Sequence, residues 1–72
     1  MARIYEVHMM VQEKRDMAGN LLEPAELVLD RPEYLTAKDD TQAAIEAGKL
    51  VPAEVRDDPE KYDRLLLVVR PF

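Results

Sequence analysis

The C-terminal segment constrains the fold of this chain most. Five consecutive branched aliphatic residues occupy positions 65–69, between Arg64 and a closing Arg-Pro-Phe. An uninterrupted apolar run of this length is typical of a strand that is buried on both faces. We therefore expect it to lie in the interior of a sheet, and the domain to end on it.

The alternation of side chains along this strand assigns its two faces. Leu65, Leu67 and Val69 should face a helix, because alternate residues of a strand share a face. Leu66 and Val68 should lie on the other face and still be substantially covered.

Length and composition predict one small domain spanning residues 1–72. Such a chain is near the lower limit for a self-sufficient core, and small domains usually add disulfides, a metal or a partner. There is no cysteine and only one histidine, which excludes disulfides and thiolate zinc sites. We therefore expect association with a protein partner to contribute stability.

Charge and hydropathy exclude several classes of partner. The formal net charge is −5 and the basic residues are scattered, which argues against direct binding of nucleic acid. No stretch reaches the roughly 18 apolar residues of a membrane span. The N-terminus does not have the pattern of a signal peptide, so we expect synthesis and folding in a cytoplasm.

Residues 3–12 predict a long first strand of period two. One face of this strand is apolar and should lie on the core: Tyr5, Val7, Met9 and Val11. The other face is mixed, with Ile4 and Met10 among Glu6, His8 and Gln12. Either both faces are covered within the domain, or the outer face meets a partner.

The next segments predict a loop and an edge strand. Residues 13–24 are polar and contain the turn signal Gly19-Asn20, which favours a long, mobile hairpin loop. Leu21 and Leu22 either begin the next strand or pack back onto the sheet. Residues 26–30 predict a short strand, and the following Arg-Pro is expected to place it at an edge or at a bulge.

Residues 33–38 resume extended structure, with Leu35 and Ala37 inward and Tyr34 and Thr36 outward. A helix then follows, with Asp39 as N-cap.

The helix has clear boundary signals. Gln42 completes a capping pattern with Asp39, and Gly48 is placed for a left-handed stop that lets Leu50 fold over the last turn. Pro52 and Pro59 each predict a single helical turn before the last strand.

These elements predict an α+β fold: a small β-β-α-β domain with a mixed three- to four-stranded sheet and one helix on one face. A crossover through a helix is almost always right-handed. We therefore place the terminal strand parallel to the strand that precedes the helix, with the first strand between them.

Catalytic and metal-binding chemistry is sparse. Serine and cysteine are both absent, so the usual nucleophiles are missing. His8 has no nucleophile to activate. The pairs Asp39-Asp40 and Asp57-Asp58 could hold a hard cation, but each is also explained as a helix cap. We expect no enzymatic activity, no catalytic residues, no metal and no cofactor.

A partner interface is the remaining candidate site, and we assign to it Ile4, His8, Met10, Arg70 and Phe72. Methionine adapts to irregular surfaces, although Met10 could equally fill the core. Phe72 could insert into a neighbouring protein or close its own core.

The second half of the chain resembles small uncharacterised proteins of tailed bacteriophages. The residues that carry the resemblance are Leu35-Thr36-Ala37-Lys38-Asp39, Gln42-Ala43, Val51-Pro52-Ala53-Glu54, Asp63-Arg64-Leu65 and Val68-Val69-Arg70-Pro71-Phe72. The match departs at Gly48-Lys49-Leu50, where an alanine-rich continuation is expected. The resemblance implies a phage origin, and hence a virion component or an early host-directed protein.

From this we expect an accessory structural protein of the phage particle, a capsid decoration or minor capsid (cement) protein that stabilises subunit contacts. Its partner would be the major capsid protein, another virion subunit or a second copy of the chain. The expected location is the virion, after synthesis in the host cytoplasm. The alternative is a small acidic binding module that inhibits or regulates a host protein in the bacterial cytoplasm.

Overall fold

The computed structural model describes residues 2–72 as a small α+β domain, as predicted. Met1, the first residue of the expected domain, lies outside the described range. The elements in chain order are β1 (Arg3–Val11), β2 (Lys14–Arg15), β3 (Leu21–Glu23), β4 (Glu26–Leu27), β5 (Glu33–Ala37), α1 (Asp40–Gly48), α2 (Ala53–Arg56), α3 (Pro59–Asp63) and β6 (Leu65–Pro71).

The long first strand is the centre of the main sheet. Along one edge β1 pairs with β6 from Tyr5 to Val11, and along its other edge it pairs with β5 and then β4. β5 and β6 are therefore parallel to each other on opposite sides of β1, which confirms the predicted placement. They are not neighbours, however, and each hydrogen-bonded pair is antiparallel. The sheet is therefore antiparallel, and the expectation of a mixed sheet is wrong.

The terminal strand lies at an edge of the sheet, so its predicted interior position is wrong. β6 pairs with β1 alone. Leu65, Leu67 and Val69 do pack against the core, as expected. Leu66 and Val68 are 39% and 37% exposed, so their face is less covered than predicted. A continuous apolar run has the same pattern whether its second face is buried or left open.

The opposite edge is interrupted, as the Arg31-Pro32 signal predicted. β4 and β5 follow one another along β1 with a bend between them. The N–H groups of Val28 and Leu29 both donate to the carbonyl of Met9, at 3.1 and 3.3 Å. Pro32, which has no N–H to offer, follows this bend and directly precedes β5.

The expected long loop of residues 13–24 is instead a second hairpin, in which β2 pairs with β3. Its turn is held by Asp16, whose Oδ1 accepts from the N–H groups of Ala18 and Asn20 at 2.9 and 2.8 Å. Gly19 has φ +88°, a conformation that side chains disfavour. Leu21 and Leu22 belong to β3, and both are exposed.

Helix α1 begins as predicted but ends differently. Asp39 Oδ1 accepts from the N–H of Gln42 at 2.8 Å, while Gln42 Oε1 accepts from the N–H of Lys38. Gly48 is the last helical residue and does not have positive φ. The left-handed stop expected there is therefore wrong, and Val51 rather than Leu50 enters the core.

The core lies on one face of the sheet, between β1 and the helices. Tyr5 packs with Ala43 of α1 near the start of β1. Near its end, Met9 and Val11 pack with Val55 of α2, which is the predicted single turn after Pro52.

The domain is elongated. Its radius of gyration is 14.0 Å and its longest extent is 49 Å, against about 11 Å for a compact domain of this length. A long, thin shape limits how much surface one core can cover.

Candidate functional site: the open face of the sheet

The face of the main sheet opposite the helices is not covered by any element in residues 2–72. We call it the open face. Its side chains come from even-numbered positions of β1 and from their cross-strand neighbours. They are Ile4, Glu6, His8, Met10, Leu27, Tyr34, Thr36, Leu66, Val68, Arg70 and Phe72.

One end of the open face is an apolar depression around Met10. Register places Met10 directly between Leu27 of β4 and Leu66 of β6. The depression has a volume of about 160 Å³, and its walls also include His8 and Val68. Its size suits the insertion of one or two side chains of a partner rather than a bound cofactor.

The other end carries an aromatic pair that bridges the two edge strands. The rings of Tyr34 and Phe72 meet edge to face, with centroids 5.2 Å apart. The N–H of Phe72 donates to the carbonyl of Ile4 at 3.0 Å, so the C-terminal residue continues the β1–β6 ladder. Phe72 is nevertheless 78% exposed and does not close its own core.

A compact ionic cluster separates the two ends. Glu6 Oε1 lies 2.8 Å from His8 Nε2, and Arg70 Nε donates to Glu6 Oε2 at 3.3 Å. The hydrogen bond from His8, and then that from Arg70, holds the pKa of the Glu6 carboxyl below its usual value, although desolvation opposes them. Because Glu6 and Arg70 balance, the side chains of the open face carry no net formal charge, while those of the whole chain sum to −5.

A second, polar depression lies at the start of α1 and is occupied by structural interactions. It has a volume of about 440 Å³ and is lined by Arg3, Tyr5, Lys38, Asp39, Asp40 and Thr41. The Tyr5 hydroxyl donates to Asp40 Oδ1 at 2.9 Å. That hydrogen bond, with burial and the Asp40 charge, raises the pKa of Tyr5, so the folded state favours the neutral hydroxyl.

The acidic pairs considered as cation sites have structural roles. Asp39 and Asp58 cap α1 and α3. Asp40 binds Tyr5, and Asp57 lies 3.6 Å from Arg56. Within residues 2–72 no group of three or more acidic or histidine side chains is arranged to hold a metal ion.

The open face brings together all five residues predicted as a partner interface: Ile4, His8, Met10, Arg70 and Phe72. Their role there stays a prediction. Sequence reasoning missed Glu6, which joins two of them, and the apolar neighbours Leu27, Leu66 and Val68. The signal that could have found them is the pairing register, because it decides which side chains stand beside Met10 and His8.

Comparisons of the chain with protein-family models, with curated proteins and with solved structures found no match. In the part of the chain that the structure describes, no helix is both long enough and apolar enough to cross a membrane.

Proposed function

We propose that this protein is a non-enzymatic accessory protein of a phage particle, a capsid decoration or minor capsid protein. It binds a neighbouring protein subunit through its open face. The phage assignment rests on the resemblance of residues 35–72, and the binding mode rests on geometry.

The observation that carries the proposal is the amount of apolar side chain on the open face. Leu27, next to Met10 at one end, is 65% exposed. Ile4, near the exposed rings of Tyr34 and Phe72 at the other end, is 53% exposed. Contiguous apolar patches on small proteins mark interaction sites. Aromatic residues, methionine and arginine, all present on the open face, are the types enriched in protein interfaces.

The size of the domain is compatible with this role. A standard interface removes about 800 Å² from each partner, which is roughly 15% of the 5396 Å² accessible surface here. Two features offer anchors: the depression around Met10 could receive a partner side chain, and the ring of Phe72 could enter a partner pocket. Buried anchors of this kind concentrate binding energy.

The experiment measures the copy number of the protein on particles of the phage that encodes it, by quantitative mass spectrometry. The proposal expects many copies per particle. It also expects Met10→Glu and Phe72→Ala to weaken binding to the particle at least tenfold, and so to lower occupancy at subsaturating concentration, since each alters an anchor point worth more than about 1.4 kcal/mol. Melting of the purified variants would show that the free domain still folds.

Matched controls change similar residues away from the open face. Ile45→Glu places a carboxylate on the exposed side of α1, and Tyr62→Ala removes an exposed ring from α3. Both should leave occupancy unchanged. Full occupancy for the open-face variants would refute the binding mode. Absence of the protein from particles would refute the virion role and favour the host-directed acidic module.

A further inference from the structure

The edge of β6 that faces away from β1 has unpaired backbone N–H and C=O groups, because β6 pairs with β1 alone. Hydrogen bonds from Gln12 N–H to the Arg64 carbonyl and from Phe72 N–H to the Ile4 carbonyl bracket the β1–β6 ladder. In an antiparallel ladder the residues that exchange hydrogen bonds alternate. Even-numbered residues of β6 therefore bond to β1, and the odd-numbered ones point away from it.

The outward backbone groups of β6 form a continuous row. They belong to Leu65, Leu67 and Val69, followed by Pro71, which has a carbonyl but no N–H. No turn, loop or side-chain hydrogen bond in residues 2–72 reaches the N–H groups of the first three. The β1–β6 register runs without a bulge.

The usual protection of a free edge is missing from Leu65 to Val69, and Pro71 is the one protective residue, at the end of the row. Natural edge strands are shortened or carry charges, proline or bulges. The β4–β5 edge has these features, since it is broken between Leu27 and Glu33 and contains Pro32. β6 has only aliphatic residues from 65 to 69, so its edge is a template for another strand.

We propose that β6 pairs antiparallel with β6 of a second copy of this chain, about a two-fold axis beside Leu67. Leu67 then faces its own equivalent, and Leu65 faces Val69 of the second copy. Each outward N–H meets an outward carbonyl, and Pro71 falls beyond the end of the opposing strand. A two-residue shift would place Pro71 opposite Leu65 and leave that carbonyl without a donor.

Side chains fit the same register. On the open face, Leu66 stands beside Val68 of the second copy. Toward its ends, Arg64 and Arg70 come opposite each other, and each already has its own glutamate: Arg64 contacts Glu23 at 2.8 Å and Arg70 contacts Glu6 at 3.3 Å. The symmetric register therefore places the Arg64–Glu23 ion pair of one copy beside the Arg70–Glu6 ion pair of the other, rather than two unpaired arginines. This self-complementarity is what an interface between identical copies requires.

The pairing of two β6 strands would also add stability that the small core does not provide. Three of the nine buried hydrophobic residues are alanines, Ala37, Ala43 and Ala47, so the core buries little side-chain volume. Small domains often gain the missing stability by oligomerising. A two-fold axis perpendicular to the sheet also turns both open faces toward the same side. The inference does not depend on the phage assignment.

The test uses the purified full chain alone, in sedimentation velocity and in amide hydrogen exchange. At about 100 μM, any dimer with a micromolar dissociation constant is populated, and we expect a dimer with the N–H of Leu67 protected. Leu66→Glu and Val68→Lys should each weaken self-association at least tenfold, because position 66 of one copy stands beside position 68 of the other.

Mixing the two variants tests the register itself. An equimolar mixture should restore a dimer, since the introduced carboxylate and ammonium then stand side by side. Ile45→Glu, a charge on α1, should leave the dimer unchanged, and circular dichroism would show that each variant remains folded. A monomeric wild-type chain, dimers that persist in both folded variants, or a mixture that stays monomeric would each overturn the proposal.

Discussion

The two faces of the main sheet are built from the same strands, yet they are covered differently. On the helix side, Tyr5, Val7, Met9 and Val11 are at most 3% exposed. On the open face, the neighbouring positions of β1 place apolar side chains at both ends and the Glu6–His8–Arg70 cluster between them. β1 thus carries apolar residues on both faces, while residues 2–72 provide helices for only one. The helix side forms the core of the fold, and the open face is the surface proposed for binding.

The strongest test of this difference compares two adjacent leucines of β6 that point to opposite faces. Leu67 packs with the cluster of Met9, Val11, Val51 and Val55, so Leu67→Ala should lower the free energy of unfolding by about 2 kcal/mol. Leu66 is on the open face, and Leu66→Ala should cost about 0.5 kcal/mol or less.

Urea unfolding of both variants at one low protein concentration would measure the difference. Equal losses of stability would mean that the two faces contribute equally to the folded domain. In that case the open face would have to be treated as a second core surface, and its assignment to binding would fail.

Local sequence signals predicted much of the helix side. Alternation identified the inward residues of β1, and Asp39 with Gln42 identified the start of α1. The left-handed stop predicted at Gly48 was wrong, because a glycine at a helix end can also keep the helical conformation. These signals act within a few residues, so they can be read without knowing the strand order.

The open face was only partly predictable, because it depends on contacts distant in sequence. Ile4, His8 and Met10 stood out as apolar or weakly polar residues on a face where charge was expected. Glu6, however, meets Arg70 across 64 positions of the chain, and only the β1–β6 register shows it. The aliphatic run of β6 cannot by itself distinguish a buried face from an exposed one.

A second test uses the polar contact that holds α1 on the helix side. Because the pKa of Tyr5 is raised above its usual 10.0, the folded state favours the neutral hydroxyl. The contribution of this group to stability is therefore complete below pH 10 and is lost as pH rises through the higher folded-state pKa.

Tyr5→Phe should lower the melting temperature at neutral pH and flatten the alkaline loss of stability. Tyr62→Phe, which alters an exposed ring, should change neither. Thermal melts between neutral pH and pH 11 would make the measurement. An unchanged melting temperature for Tyr5→Phe would show that the Tyr5–Asp40 contact does not hold the helix on the sheet.

The smallest expected effect on stability comes from Glu6 on the open face. Its contribution is lost toward acid pH, whereas that of Tyr5 is lost toward alkaline pH. The pKa of Glu6 is lowered below its usual 4.5, so the folded state favours the carboxylate. Its contribution is complete above pH 4.5 and is lost as pH falls through the lower folded-state pKa. Glu6→Gln should therefore reduce the acid sensitivity of folding and slightly lower stability at neutral pH.

Glu33→Gln is the control, since Glu33 is also a strand glutamate but is exposed, whereas the Glu6 side chain is 17% exposed, and Glu33 has no ion-pair partner among the described residues. Acid titration of both variants at low salt separates the specific cluster from a general change in net charge. If the two variants shifted the acid transition equally, the Glu6 cluster would contribute only its charge. If Glu6→Gln alone shifted it, the ionic cluster would be a fixed part of the open face, held in place before any partner binds.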